Sequence, residues 1–215
     1  MPSKPRLQIA LDSPNLANAI EHAEKVSQFV EVIEVGTILA FSEGMEAVKT
    51  LRLKYPNHIL VCDMKITDAS KILTEIAARN GANWVTVSAA AHIETIRAAK
   101  ETMDRYDGEI QIELYGNWTM EDVQNWRDLG ISQAIYHRSR DAELSGVTWN
   151  KDDLEKMHLL SEKGIELSIT GGITPQDIAL FKDLNVKSFI AGRALSGDQG
   201  QDIANEFRQE ISRYW

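Results

Sequence analysis

The sequence has one cysteine, Cys62, in 215 residues. No disulfide can form within the chain, and a reducing compartment is expected. No apolar run approaches the roughly 20 residues that span a bilayer. The opening MPSKPR leads straight into an apolar strand pattern, without the apolar region of a secretory leader. These absences predict a soluble, cytoplasmic protein with no membrane partner. Positive charge is also short, with 23 Lys and Arg against 32 Asp and Glu and a formal net charge of −9. Backbone phosphates attract basic surfaces, so this balance argues against nucleic acid as a partner. Any anionic small molecule must find local positive charge on an acidic background. Zinc-type Cys/His clusters, a P-loop and a dinucleotide fingerprint are all missing. Linkers and low-complexity tracts are missing too, which predicts one domain over 1–215.

What is present is a repeat. Short apolar runs recur about every 25 residues: LQIALD, VIEVG, ILVCDMK, WVTVSA, IQIELY, QAIYHR, LSITGG and FIAGR. Helical patterns fill the gaps at 15–29, 43–55, 69–80, 92–105, 120–129, 151–163, 175–183 and 200–213. Thr174-Pro175 reads as a helix start, acids follow Thr119 and Asn150 where helix dipoles favour them, and Gly81, Gly130 and Gly164 mark helix ends. Eight βα units predict an α/β fold, a single-domain (β/α)8 TIM barrel whose strand ends converge on one mouth.

Nearly every run ends on a polar or charged residue. Side chains alternate with period two along a strand, and Gln8, Ala10 and Asp12 share one parity against Leu7, Ile9 and Leu11. Val61, Asp63 and Lys65 oppose Leu60, Cys62 and Met64; Gln111 and Glu113 oppose Ile110, Ile112 and Leu114; Ser168 and Thr170 oppose Leu167 and Ile169. Parallel strands normally read as continuous apolar runs, and buried polar groups cost free energy unless partnered. A ligand-filled barrel mouth is the expected reason for a polar parity.

Each constellation has a plain reading beside the chemical one. Asp63, Lys65 and Asp68 could be an ion pair followed by an N-cap aspartate; at a barrel mouth, catalytic work is the expectation. A lysine between carboxylates stays protonated. Glu34 should face Asp63 from the adjacent strand. Two oxygen donors with open positions suit Mg2+, although a metal is only one way to hold two acids together. Gly171-Gly172 and Gly192-Arg193 follow the seventh and eighth runs, where this fold commonly binds phosphate. His137 falls on the mouth-facing parity and can exchange protons near neutrality, whereas Arg138 reads as part of a solvated basic loop. His22, His58, His92 and His158 read as structural, the tryptophans as packing groups, and Cys62 as inert.

Asp-x-Lys-x-x-Asp at 63–68 with Ile-Glu-Val-Gly-Thr at 33–37 resembles the orotidine-monophosphate-decarboxylase superfamily. Within it, Tyr-His-Arg-Ser-Arg-Asp at 136–141, Gln-Ile-Glu-Leu at 111–114 and Thr-Gly-Gly at 170–172 resemble the 3-keto-L-gulonate-6-phosphate decarboxylases. Lysine replaces Glu34 in the orotidine enzymes, and the hexulose-phosphate synthases lack the His-Arg-x-x-Arg-like segment at 137–140. Met64 departs from a smaller residue common in the family; parity places it toward the helices.

The resemblance implies a Mg2+-dependent decarboxylation of a sugar-phosphate β-keto acid through an enediolate, in L-ascorbate catabolism. It implies Glu34 and Asp63 as metal ligands and Lys65, Asp63, Asp68, Glu113, His137 and Arg140 as catalytic groups. Asp12, Thr170, Gly172, Gly192 and Arg193 would bind substrate. It further implies a two-fold homodimer in which Asp68 reaches the partner's site. An aldol enzyme acting on ribulose 5-phosphate and formaldehyde, and a non-catalytic sugar-phosphate binder, are the alternative functions.

Overall fold

The computed structural model describes residues 4–215, apart from the side chains of Arg140 and Ala142. Eight parallel strands close in sequence order: β1 Arg6–Leu11, β2 Val32–Val35, β3 Ile59–Ile66, β4 Trp84–Ser88, β5 Glu109–Glu113, β6 Gln133–His137, β7 Glu166–Thr170 and β8 Val186–Ala191. The last strand pairs with the first, Leu7 opposite Phe189, so the barrel leaves no strand edge unpaired. The helices are α1 Leu16–Val26, α2 Thr37–Glu43, α3 Met45–Lys54, α4 Ser70–Arg79, α5 Ile93–Asp104, α6 Met120–Asp128, α7 Arg140–Leu144, α8 Lys151–Glu162, α9 Arg193–Ser196 and α10 Gly200–Tyr214.

The long helices fall where periodicity and end signals put them. Thr119 with Asp122 and Asn150 with Asp153 form reciprocal capping boxes at the starts of α6 and α8, each satisfying two amide groups left over at a helix start. Gly81, Gly130 and Gly164 follow helices with φ of +103°, +77° and +78°, a region that an L side chain enters only at a cost. The segment Pro175–Phe181 differs from expectation: it is a 3-10 helix, although Thr174 and Asp177 do form its capping box.

Most of the apolar core lies between strands and helices. Leu7, Ile9, Leu11, Leu60, Cys62 and Ile169 are fully buried there, all of the parity expected to face outward. Met64 packs against the same cluster. Burial, then the charges of Asp63 and Glu34, pushes the Cys62 thiol up to about 12, so it carries no thiolate at neutral pH.

The barrel interior is layered. At the closed end Val32, Val61 and Trp84 form a small apolar cluster, with Arg6 and Lys187 each 5.8 Å from the Trp84 ring. Above it, Gln8, Gln111, Gln133, Ser168 and Ser188 are all fully buried. Here the structure adds a layer to the expectation: these groups lie below the mouth, and most of their polar atoms pair with one another. Gln111 Nε2 donates to Gln133 Oε1 at 3.0 Å and to Ser168 Oγ at 3.2 Å. Ser188 Oγ contacts Ser168 Oγ at 2.8 Å and Gln8 Oε1 at 3.2 Å. Leaving one such group unpaired costs about 1–3 kcal/mol; Gln111 Oε1 is left without a partner, while the other bonds tie the layer into a polar floor beneath the mouth.

Candidate active site

The mouth opens into a cavity of about 570 Å3 lined from seven of the eight strand ends and the loops beyond them. Its centre is Lys65. Strand β3 breaks register against β4 between Cys62 and Ile66, and Lys65 has φ +47°, an uncommon left-handed conformation for a residue with a Cβ. The backbone N–H of Lys65 donates to Thr86 Oγ1 at 2.9 Å, holding that turn. The side chain then returns over its own strand, and Nζ pairs with Asp63 Oδ2. Nζ also donates to Thr37 Oγ1 at 2.6 Å and lies 3.4 Å from Glu113 Oε1.

Asp63 is almost fully buried. Thr37 Oγ1 donates to its Oδ2 at 2.6 Å and Thr86 Oγ1 to its Oδ1 at 2.7 Å. Burial alone would push the Lys65 ammonium down, but Asp63, Glu113 and Glu34 outweigh it and hold the group above the ordinary lysine range. It is a fixed cation at any working pH. Thr37, quoted in the sequence only as the end of the 33–37 motif, and Thr86 seat it; neither carries a role in the sequence reading.

Glu34 lies beside this group with Gln8 Nε2 donating to its Oε2. Desolvation first, then the charges of Asp63 and Asp12, raise its carboxyl well above the ordinary value; Lys65 and Gln8 offset only part of this. Gly36 is required nearby, because a Cβ there would collide with the Asp12 carboxylate. Three carboxylates therefore share one lysine, and an additional cation would relieve them. Among the described residues no group of three acids or histidines is placed to chelate a metal unaided. Glu34 and Asp63 fit an ion that takes two protein oxygens and leaves its other positions to water and substrate, as Mg2+ does.

The opposite wall comes from β7 and β8. Gly171, Gly172, Gly192 and Arg193 all line the cavity. Gly172 has φ +63°, and a Cβ there would overlap the Glu143 carboxylate. That carboxylate reaches across from α7 to pair with Arg193 at 2.7 Å. An anion thus already sits in the glycine–arginine cradle, and it belongs to the chain itself. Arg138 corrects another expectation. It is half-buried, not solvated: Nη2 donates to Gly171 O at 2.5 Å and the guanidinium lies 5.0 Å from the Trp149 ring. It shapes the first glycine loop.

His137 and Glu113 close the remaining side. His137 Nδ1 is 3.4 Å from Glu113 Oε2 and 2.5 Å from the hydroxyl of Tyr115. Thr170 Oγ1 donates to Ile190 O at 3.2 Å at the cavity edge, and Asp12 lines the cavity with its Oδ1 3.4 Å from the Ile38 amide. One expected residue is not brought in, and a second is not described at its side chain. Asp68 is exposed, accepts the Ala69 amide at 2.7 Å and stands outside the cavity lining. Arg140 opens α7, but its side chain lies outside the described residues. The structural readings of the other histidines hold for three of them: His22 meets Ser13 at 3.1 Å, His58 meets Ser27 O at 2.9 Å, and His92 caps α5.

Comparison with known proteins agrees with this geometry. The sequence model of the orotidine 5'-phosphate decarboxylase / HUMPS family matches residues 5–206. A probable 3-keto-L-gulonate-6-phosphate decarboxylase from Haemophilus influenzae is 53% identical, with 99% of each chain covered. The crystal structure of 3-keto-L-gulonate-6-phosphate decarboxylase from Vibrio cholerae superposes with a TM-score of 0.95 at 62% identity, covering 99% of this chain and 100% of that one. KGPDC from Streptococcus mutans in complex with D-R5P superposes with a TM-score of 0.96 at 43% identity, again over 99% and 100%.

Proposed function

Because the chain belongs to the orotidine 5'-phosphate decarboxylase / HUMPS family, we propose that it is a carboxy-lyase converting 3-keto-L-gulonate 6-phosphate to L-xylulose 5-phosphate and carbon dioxide, in L-ascorbate catabolism. One observation carries the reading. A permanently charged lysine, held between Asp63 and Glu113, faces a glycine–arginine anion cradle across a single cavity.

Loss of carbon dioxide from a β-keto acid leaves an enediolate, and the cost of the step is that developing negative charge. Lys65 meets it with a fixed cation that needs no reorganisation, the condition under which electrostatic stabilisation is largest. Glu34 and Asp63 would hold Mg2+, which when bound supplies further positive charge to the enediolate oxygens. Glu113 and His137 serve the proton that must reach the new carbon centre, directly or through water. Thr170 and Arg140 orient substrate hydroxyls or that water. Asp12 contacts substrate near Lys65, and Gly172, Gly192 and Arg193 hold the phosphate.

The deciding assay is carbon dioxide release from 3-keto-L-gulonate 6-phosphate with magnesium and then with chelator. Release that chelation abolishes supports both the reaction and the ion. No release in either condition, with product formed from ribulose 5-phosphate and formaldehyde, would move the reading to aldol chemistry.

Glu143 must leave Arg193 before a phosphate can take the cradle. Glu143→Gln is therefore expected to tighten inorganic phosphate binding about two- to fivefold, the worth of one exposed ion pair. Calorimetric titration checks it, and weaker binding by the variant would mean that Glu143 supports the cradle and does not compete for it.

The same reading includes a homodimer with Asp68 acting in the partner's site. Ile38 and Phe41 on α2 and Ile72 and Ile76 on α4 are exposed, Phe41 at 81%. These helices both pack against β3, just beyond whose end Asp68 stands, and exposed apolar side chains on them suit a protein interface. Sedimentation should find a dimer; a monomer with full turnover would exclude the arrangement.

A further inference from the structure

Tyr115 lines the cavity and touches His137, yet the proposed chemistry has not used it. It follows β5 on the inward parity of Gln111 and Glu113. A tight turn holds it, the Tyr115 amide donating to Glu113 O at 2.9 Å, and Gly116 follows with φ +68°. The phenol oxygen is 2.5 Å from His137 Nδ1, and the two rings lie 5.4 Å apart at 40°. Lys65 Nζ stands 6.0 Å from the Tyr115 ring.

The hydrogen-bond inventory fixes the roles. A phenol has one proton to donate and lone pairs to accept with. The phenol's contact at hydrogen-bond distance is with His137 Nδ1, and the same nitrogen faces Glu113 Oε2 at 3.4 Å. A carboxylate accepts only, and bonds to a charged acceptor are roughly twice as strong as neutral ones, so Glu113 draws the proton onto Nδ1. Nδ1 of His137 must then carry its own proton and donate it to the phenol oxygen. The remaining ring nitrogen, Nε2, is left to exchange protons with the cavity. Burial, then the charge of Glu113, keeps the phenol protonated throughout, so the link does not open with pH.

We propose that Tyr115 is a positioning residue, whose hydroxyl acts with Glu113 on Nδ1 of His137 and fixes the histidine as the Nδ1–H tautomer with Nε2 directed at the substrate. The inference rests on the proposed function for its kinetic consequence, but not for the tautomer. The titratable groups that touch the His137 ring are Tyr115 and Glu113 from the end of β5; Lys65 from β3 reaches Glu113 at 3.4 Å, and Arg138, next in the chain, turns to Gly171 O and the Trp149 ring.

Tyr115→Phe keeps the ring and its packing and removes only the hydroxyl. Ring 15N chemical shifts of His137 should report Nδ1–H in the native protein and a mixture of tautomers in the variant. Turnover should fall about tenfold with KM within twofold, a modest share of the 10²–10⁴ that a placed proton donor contributes, and the pH limb of kcat should move. Circular dichroism and retained phosphate binding establish that the variant is folded. A native Nε2–H tautomer, or a variant with unchanged tautomer and turnover, would overturn the proposal and leave Glu113 to orient His137 alone. Native protein that fails to release carbon dioxide would overturn the assigned reaction instead, with the 15N result still deciding the role of Tyr115.

Discussion

Lys65→Ala is expected to lower decarboxylation by at least about a thousandfold while leaving phosphate-ligand binding within a few-fold of native. Removing a single neutral donor from an oxyanion site costs roughly 10²–10³ in kcat, and Lys65 contributes a full charge in a buried setting. Its loss also strips the counter-charge from Asp63 and from Glu113 Oε1. An approaching substrate carboxylate then meets negative charge where the native chain presents a cation. The backbone does not confound the comparison. Lys65 already carries the strain of φ +47°, and alanine at that position bears a similar penalty, so the kinetic loss reports the amine. Binding should survive, because Gly172, Gly192 and Arg193 stand across the cavity, just beyond the ends of β7 and β8. Steady-state kinetics with calorimetry on phosphate ligand separates the two effects. Turnover within tenfold of native would remove Lys65 from the chemistry.

That prediction draws on residues legible before any coordinates. Strand ends show in sequence because parallel strands buried on both faces should be apolar throughout, and Asp63, Glu113 and His137 interrupt that pattern at the same end of each run. The parity that put Cys62 and Met64 toward the helices was sufficient to clear both of chemistry. Parity has no vertical coordinate, however. It says that Gln8, Gln111 and Ser168 point inward without saying that they lie a layer below the mouth and bond to one another. Height in a barrel depends on strand tilt and stagger, which no single strand encodes.

The missed residues divide by cause. Tyr115 shares the parity of Glu113, so its signal was present, but an aromatic at a strand end reads equally as packing. Thr37 and Thr86 are small, common in strands, and gain meaning only from Asp63 between them. Helices α2, α7 and α9 span seven, five and four residues, too few turns for a 3.6-residue period to stand out. It is α7 that carries Glu143 into the cradle, so the self-occupied anion site was invisible in sequence. The register break at Lys65, with its positive φ, was hidden for a related reason: Asp-Met-Lys-Ile keeps the period-two alternation of a strand and contains no glycine or proline to mark a turn.

Glu34→Gln is expected to stabilise the metal-free protein while removing magnesium-dependent turnover. In the native chain the Glu34 carboxyl is raised well above its ordinary value of 4.5 by desolvation and by Asp63 and Asp12. A carboxyl with a raised folded-state pKa binds a proton over a pH range in which the unfolded chain has already released it. Folding there takes up a proton, so stability falls as pH climbs from about 4.5 through the folded value. Above that window the whole penalty is present, at about 1.4 kcal/mol for each unit of displacement. Glutamine keeps a carbonyl for Gln8 Nε2 and carries no charge, so it escapes the penalty. Each kcal/mol regained corresponds to about 2–4 °C in a chain of this size. The unfolding midpoint of the variant should therefore exceed the native one at pH 8 in chelator, and the gap should narrow toward pH 5. Magnesium should reverse the order by raising the native midpoint, since a ligand that binds only the folded state stabilises it by mass action, and it should leave the variant nearly unmoved. Calorimetry at two pH values, with and without magnesium, reads all four outcomes independently of activity. If the variant melts lower than native in chelator, Glu34 is a satisfied structural acid. If magnesium shifts both proteins equally, the ion sits elsewhere and the strained carboxylate needs a different explanation. Gain of stability with loss of turnover, by contrast, would place Glu34 among groups held at a cost for the reaction they serve.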